Sequence, residues 1–196
     1  YQSLMILPYA FPAFLATLVW KGMLNTDFGF INQVFLGGAH VPWLDNGLLA
    51  KLSILGVNLW LGFPYMFLVC LGALQSLPGD IEEAAKIDGA SGLRTVWSIK
   101  LPLVLQSTVP LLIASFAFNF NNFSLIYMLT GGGPNYPGLS VPVGESDILI
   151  SMVYKIAIDS GSPNYGLASA MSIVIFVVVG VIAWLGFRQT KTLEEL

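Results

Sequence analysis

The sequence predicts an all-α fold, a polytopic bundle of membrane helices, and three observations predict it. Hydrophobic residues make up 56% of the 196-residue chain and charged residues only 10%. A water-soluble domain carries about 25% charged residues, so these charges are too few to cover a soluble surface. Mean hydropathy is +0.77. Four apolar runs each reach the roughly 20 residues that a helix needs to cross hydrocarbon. Backbone in lipid must satisfy its own hydrogen bonds, which leaves helices or closed barrels, and continuous apolar runs of this length select helices.

The first run covers residues 4–24, "LMILPYAFPAFLATLVWKGML", and is interrupted by Pro8 and Pro12. Residues 27–37, "DFGFINQVFLG", read as a short interfacial helix. The second run covers 47–74, with Lys51 near its start and Pro64 inside. Pro64 has no N–H for the carbonyl of Trp60 and should kink the helix. The third run covers 103–129 and the fourth 166–187. Between them, 130–146 is rich in Gly and Pro and reads as turns, and 147–158 reads as an amphipathic helix outside or entering the membrane. The 75–102 loop and the tail carry Lys86, Arg94, Lys100, Arg188 and Lys191; the other side carries Lys21, Lys51 and Lys155. This bias places the 75–102 loop and the tail in the cytoplasm.

Several function classes fall away. The net charge of −3 gives no basic footprint for nucleic acid. Cys70 and His40 are single residues of their kinds, so neither zinc nor a disulfide is expected within the chain. The "GGGP" at 131–134 lacks the Lys-Ser/Thr of a phosphate-binding loop and reads as a turn. No nucleophile–base pair stands in the spans, which argues against an intramembrane enzyme. The chain starts at Tyr1 and runs straight into apolar sequence, so it is expected to be part of a longer protein.

Residues 82–102, "EEAAKIDGASGLRTVWSIKLP", break the apolar pattern. Asp80 is expected as an N-cap, forming a D-x-x-E variant of the capping box with Glu83. Glu82 and Glu83 suit the positive end of the helix, and Gly89 is placed to end it. Ser91 is expected to cap a second short helix with Leu93, Val96 and Trp97 on one face. Neither helix is long enough to stand alone. A solvated loop and a docking element are both open on this ground; the small residues Ala84, Ala85 and Gly89 favour docking.

The spacing Glu83-Ala84-Ala85-x-x-Asp88-Gly89-Ala90, followed by Ile99-x-Leu101-Pro102, resembles the EAA loop of ABC importer permease subunits. That resemblance implies that 76–102 is a cytoplasmic coupling loop. Its short helix would dock in a cleft of a separate ATPase, with Glu83, Ala84, Ala85, Asp88 and Gly89 at the contact and Glu83 and Gly89 central.

The third run holds "IASFAFNFNNF". At 100° per residue Ser115, Phe118, Asn119 and Asn122 fall within about a 100° arc, while Asn121 points away. Amides in hydrocarbon need partners or water. Interhelical glue, a water-lined cavity and a neutral polyol site are all open. The polyol reading draws on amides that meet hydroxyls and a ring that meets sugar CH faces. No charge sits at this depth, which argues against an ion-coupled secondary transporter.

The segments "ILPYAFP", "WLGFPYM", "IASFAFNFNNFSLI" and "LTGGGP" are similar to MalF-type permease subunits of maltose/maltodextrin ABC importers, over essentially the whole chain. The resemblance implies the transmembrane core of a type I ABC importer permease over 1–196, in a bacterial inner membrane, with N-terminal helices and a periplasmic region belonging to the longer protein. Carried over by position, the sugar contacts are Tyr9, Gly62, Tyr65, Ser115, Phe118, Asn119 and Asn122. Ala13 stands where a serine is expected, which leaves the exact sugar open between maltodextrins and another neutral sugar or glycoside. The implied partners are a second EAA-loop permease (MalG-like), two copies of a cytoplasmic ATPase (MalK-like) that holds ATP and Mg, and a periplasmic sugar-binding protein. This chain would bind no cofactor and catalyse no reaction, having no Walker motif.

Overall fold

A computed structural model describes residues 5–139, 141 and 143–194, with side chains as far as Arg188. Residue 4 of the first run, Ser140 and Pro142 in the turn region, and the side chain of Lys191 lie outside that description. The elements are helices: α1 (Ala13–Met23), α2 (Gly47–Gln75), α3 (Gly79–Ile87), α4 (Gly92–Thr95), α5 (Leu101–Phe120), α6 (Phe123–Leu129), α7 (Leu149–Tyr154) and α8 (Tyr165–Glu194). Among the described residues no strand forms; Asn135 and Gly144 make one isolated antiparallel bridge. Among the described residues, three helical stretches are long and apolar enough to cross a membrane: Gly47–Gln75, Gly92–Phe120 and Tyr165–Arg188. The chain folds as two compact units, residues 1–64 with 118–179, and residues 65–117 with 180–196.

In the first unit, the expected 4–24 span is split by its prolines. A 3-10 turn covers Leu7–Ala10, Pro12 is extended at ψ 126°, and α1 runs for only 11 residues after it. The following connection is organised by one fully buried amide. Asn32 Nδ2 donates to the carbonyls of Thr26 (2.9 Å) and Val41 (3.0 Å), and its Oδ1 accepts from Trp43 Nε1 at 2.8 Å. The interfacial helix expected over 27–37 is accordingly a single π turn at Ile31–Phe35 that carries Asn32. Asn46 starts α2 by accepting from the N–H groups of Leu48 and Leu49, both at 3.1 Å.

Along α2 the buried positions Gly47, Ala50, Ile54, Val57 and Pro64 recur at helical spacing. Leu48, Leu52, Leu55 and Leu59 form an exposed stripe. Ile54 and Val57 pack with Leu24, Leu125, Ile126 and Leu129 into a core flanked by Trp20 and Trp43. A second cluster joins Val153 and Ile156 to Ala168 and Ile175 of α8. Around these cores the apolar surface of the long helices is exposed, as expected of helices whose neighbours are lipid or other chains.

The second unit contains the charged stretch. Here α3 starts at Gly79, directly after Pro78, and no side chain caps it. The capping box expected from Asp80 and Glu83 does not form. Pro78 fixes its own φ and ends the preceding segment, which moves the helix start two residues earlier and puts Asp80 in the first turn. Asp80 and Glu82 then sit near the positive helix end. Gly89 ends α3 as expected, at φ +74°. Its N–H donates to Lys86 O (3.1 Å) and the N–H of Ala90 to Ala85 O (2.9 Å), the two bonds of a Schellman turn. Ser91 caps α4 as expected, its side chain accepting from Arg94 N at 3.4 Å. A π turn, Val96–Lys100, leads into α5.

A Cβ at Gly89 would meet nothing within 4 Å. The cost of Gly89→Val is therefore conformational, about 1–2 kcal/mol for a left-handed residue with a Cβ. Faster amide exchange over 84–90, with the long helices unchanged, is the expected result by hydrogen-exchange mass spectrometry.

Candidate functional site

The polar stripe of the third run is divided by a break in the helix. α5 ends at Phe120, and Asn122 caps α6 by accepting from Leu125 N at 3.4 Å. The Phe123 N–H turns back onto the Asn121 carbonyl at 2.7 Å. Asn is favoured at such positions because its short side chain competes for backbone groups. The continuous helix expected over 103–129 is thereby corrected, and the projection that aligned Asn122 with Asn119 no longer applies to it.

Asn119 and Asn122 are nevertheless brought together by a third amide. Asn58 Nδ2 donates to Asn119 Oδ1 at 2.8 Å, and Asn122 Nδ2 donates to Asn58 Oδ1 at 3.4 Å. Asn58 is missing from the candidates that the sequence supplied. Its signal is present there: it is an amide in an otherwise apolar run, with Gly62 and Tyr65 four and seven residues on, which is one helical face. Asn119 also borders a cavity of about 440 Å³ whose other walls include Phe120, Val143, Asp147, Ile148 and Met152.

The other candidates are spread along their elements. Tyr9 is 59% exposed on the 3-10 turn, and Phe118 is 72% exposed on α5, one residue before Asn119. A Cβ at Gly62 would meet nothing within 4 Å, so the backbone of α2 is open there. Tyr65 and Ser115 fall in the second unit, exposed and half-buried respectively. Ala13 is the first residue of α1, and its carbonyl accepts from Thr17 Oγ1 at 2.8 Å.

Of the residues expected at the coupling contact, Glu83, Ala84, Asp88 and Gly89 are exposed. Ala85 departs from them: it is buried and faces inward. The small face attributed to Ala84, Ala85 and Gly89 is thus divided, with Ala85 seating α3 on its own chain. Beside the exposed residues stand large apolar ones, Ile87 (86% exposed), Leu93 and Trp97 (68%). Glu82 bonds Lys100 Nζ at 2.6 Å and Lys86 Nζ at 3.4 Å. Lys100 first, and then Lys86, hold its carboxyl below the usual carboxylate range.

The turn-rich region beyond α6 is more ordered than its composition suggests. Asp147 accepts from Gly144 N (2.7 Å), Ser151 Oγ (2.8 Å) and Lys155 Nζ (2.7 Å). The Asp147 and Lys155 side chains are each only 4% exposed. Lys155, counted above as a cation of the outer side, is therefore neutralised inside the fold. Gly132 has φ +81°, and a Cβ there would overlap the Asp147 carboxylate.

Comparison with known proteins agrees with this architecture. Residues 1–191 match the family model of the binding-protein-dependent transport system inner membrane component. The maltose/maltodextrin transport system permease protein MalF of Vibrio parahaemolyticus is 48% identical over 198 residues, covering 100% of this chain and 38% of that protein. MalF of Yersinia pestis is 43% identical over 194 residues, covering 97% of this chain and 37% of that protein. The chain therefore spans well under half the length of these relatives. A crystal structure of a bacterial ABC transporter that imports the acidic polysaccharide alginate superposes with a TM-score of 0.83 at 20% identity, over 97% of this chain and 64% of that one. At that identity the likeness concerns the fold alone.

Proposed function

The chain belongs to the family of binding-protein-dependent transport system inner membrane components, and from that premise we propose that it is the core of an ABC importer permease subunit for maltose- or maltodextrin-like oligosaccharides. The observation that carries this reading is the cluster of Asn58, Asn119 and Asn122. Amides both donate and accept, so they suit hydroxyls of a neutral sugar. The 440 Å³ cavity beside Asn119 is in the size range of small-ligand sites. The identity to MalF proteins supports the sugar class.

Transport would proceed by alternating access around this cluster. ATP and Mg would act on a separate cytoplasmic ATPase, present in two copies, and this chain would carry the coupling loop. The exposed Glu83, Ala84, Asp88 and Gly89, with Ile87 and Trp97 beside them, form the surface that would meet it. A second EAA-loop permease and a periplasmic sugar-binding protein would complete the assembly.

The test is sugar-stimulated ATPase activity of the reconstituted complex across a panel of sugars. Stimulation by maltose and maltodextrins is expected. A response confined to another glycoside would reassign the substrate, and no response to any maltodextrin would sink the maltose assignment.

A further inference from the structure

We infer that Glu82 and Lys100 act as a strut that carries motion from the coupling helix directly to the foot of α5. The inference rests on the importer reading above. α3 is nine residues long, and Ala85 is its buried residue. It joins the next helix through Gly89, a turn with φ +74° and open space around it. A force applied at the exposed residues of α3 would rotate the helix about that turn unless something else holds it. Glu82 supplies the second hold. Its Oε2 meets Lys100 Nζ at 2.6 Å, 18 residues on in sequence.

Lys100 is the last residue of the π turn, and α5 begins at Leu101. The strut therefore bypasses both the glycine turn and α4. Leu101, the residue after Lys100, opens α5, in whose last turn Asn119 lies. Lys100 first, and then Lys86, favour the charged form of the Glu82 carboxyl. Lys86 also meets Glu82, at 3.4 Å, but it lies on α3 itself, four residues away. It cannot link two elements. Glu82 and Lys100 are thus positioning residues, distinct from Glu83 at the docking surface.

The experiment uses the assembled complex with the full-length permease chain in proteoliposomes, measuring sugar taken up per ATP hydrolysed. Lys100→Gln is expected to lower that ratio at least about fivefold, the lower end of coupling between distant sites. Sugar-loaded binding protein should still stimulate the ATPase, and assembly should be unchanged. Lys86→Gln should leave the ratio as in the wild type. Exchanging the pair, Glu82→Lys with Lys100→Glu in the Lys86→Gln background, should restore it. A normal ratio in Lys100→Gln, an equal loss in Lys86→Gln, loss of assembly instead of coupling, or no restoration by the exchange would each overturn the strut. A wild-type complex without sugar-stimulated ATPase would instead fail the importer reading itself.

Discussion

Replacing Lys155 with methionine is expected to destabilise the fold by about 3–5 kcal/mol, the cost of leaving a buried charge without its partner. Asp147 would keep the Gly144 N–H and the Ser151 hydroxyl but lose the ammonium group 2.7 Å away. With only 4% of its side chain exposed, it could not turn to water. The effect should be local in origin and wide in reach. Asp147 ties the 130–147 turns to α7, and Thr130 and Ser146 are joined at 2.8 Å within the same region. Leu129, fully buried in the core, directly precedes those turns. Removing both charges, Asp147→Leu with Lys155→Met, should recover much of the loss, since a buried pair can be replaced by apolar residues at little cost. Thermal unfolding in detergent measures both variants. A Lys155→Met protein as stable as wild type would show that the pair contributes nothing.

The fold class and the caps at Gly89 and Ser91 were legible because both rest on short-range chemistry. Apolar run length picked out three membrane-length helices, though not the first run, which its prolines split, and Ser91 and Gly89 did locally what their types do elsewhere. The failures have two causes, local competition for backbone groups and tertiary packing. Asn122 reads as a side chain on a helical face, yet its own oxygen ends that helix. Pro78 displaced the start expected at Asp80. Two burials depend on tertiary packing and leave no periodic trace: Ala85 turned inward, and Lys155 paired under a glycine-rich turn. Asn58 shows the same limit from the other side. Its partners are 61 and 64 residues away in sequence, so only the fold reveals them.

Asn119→Ala is expected to reduce sugar uptake by about 2- to 10-fold, the worth of an ordinary hydrogen bond made by an exposed amide, with assembly preserved. The rival explanation is that the three amides only hold helices together. Asn122 separates the two, because it does two things. Its Oδ1 caps α6 and its Nδ2 donates to Asn58. Asn122→Ala removes both and should also cost about 1 kcal/mol of stability through the lost cap. Asn122→Ser keeps a capping oxygen, since Ser is as good an N-cap as Asn, but has no amide to offer. If the amides bind sugar, Asn122→Ser should regain the stability and still transport poorly, with the sugar concentration for half-maximal uptake raised. If they are glue, the missing bond to Asn58 should leave stability and uptake lowered together, even with the cap restored. Asn58→Leu extends the comparison, because it removes the bridging amide while leaving the Asn119 and Asn122 side chains in the chain. Glue alone would make its uptake fall in step with the amount of assembled protein. A sugar site would make uptake per assembled complex fall, because Asn119 and Asn122 would have lost the amide that bonds them both.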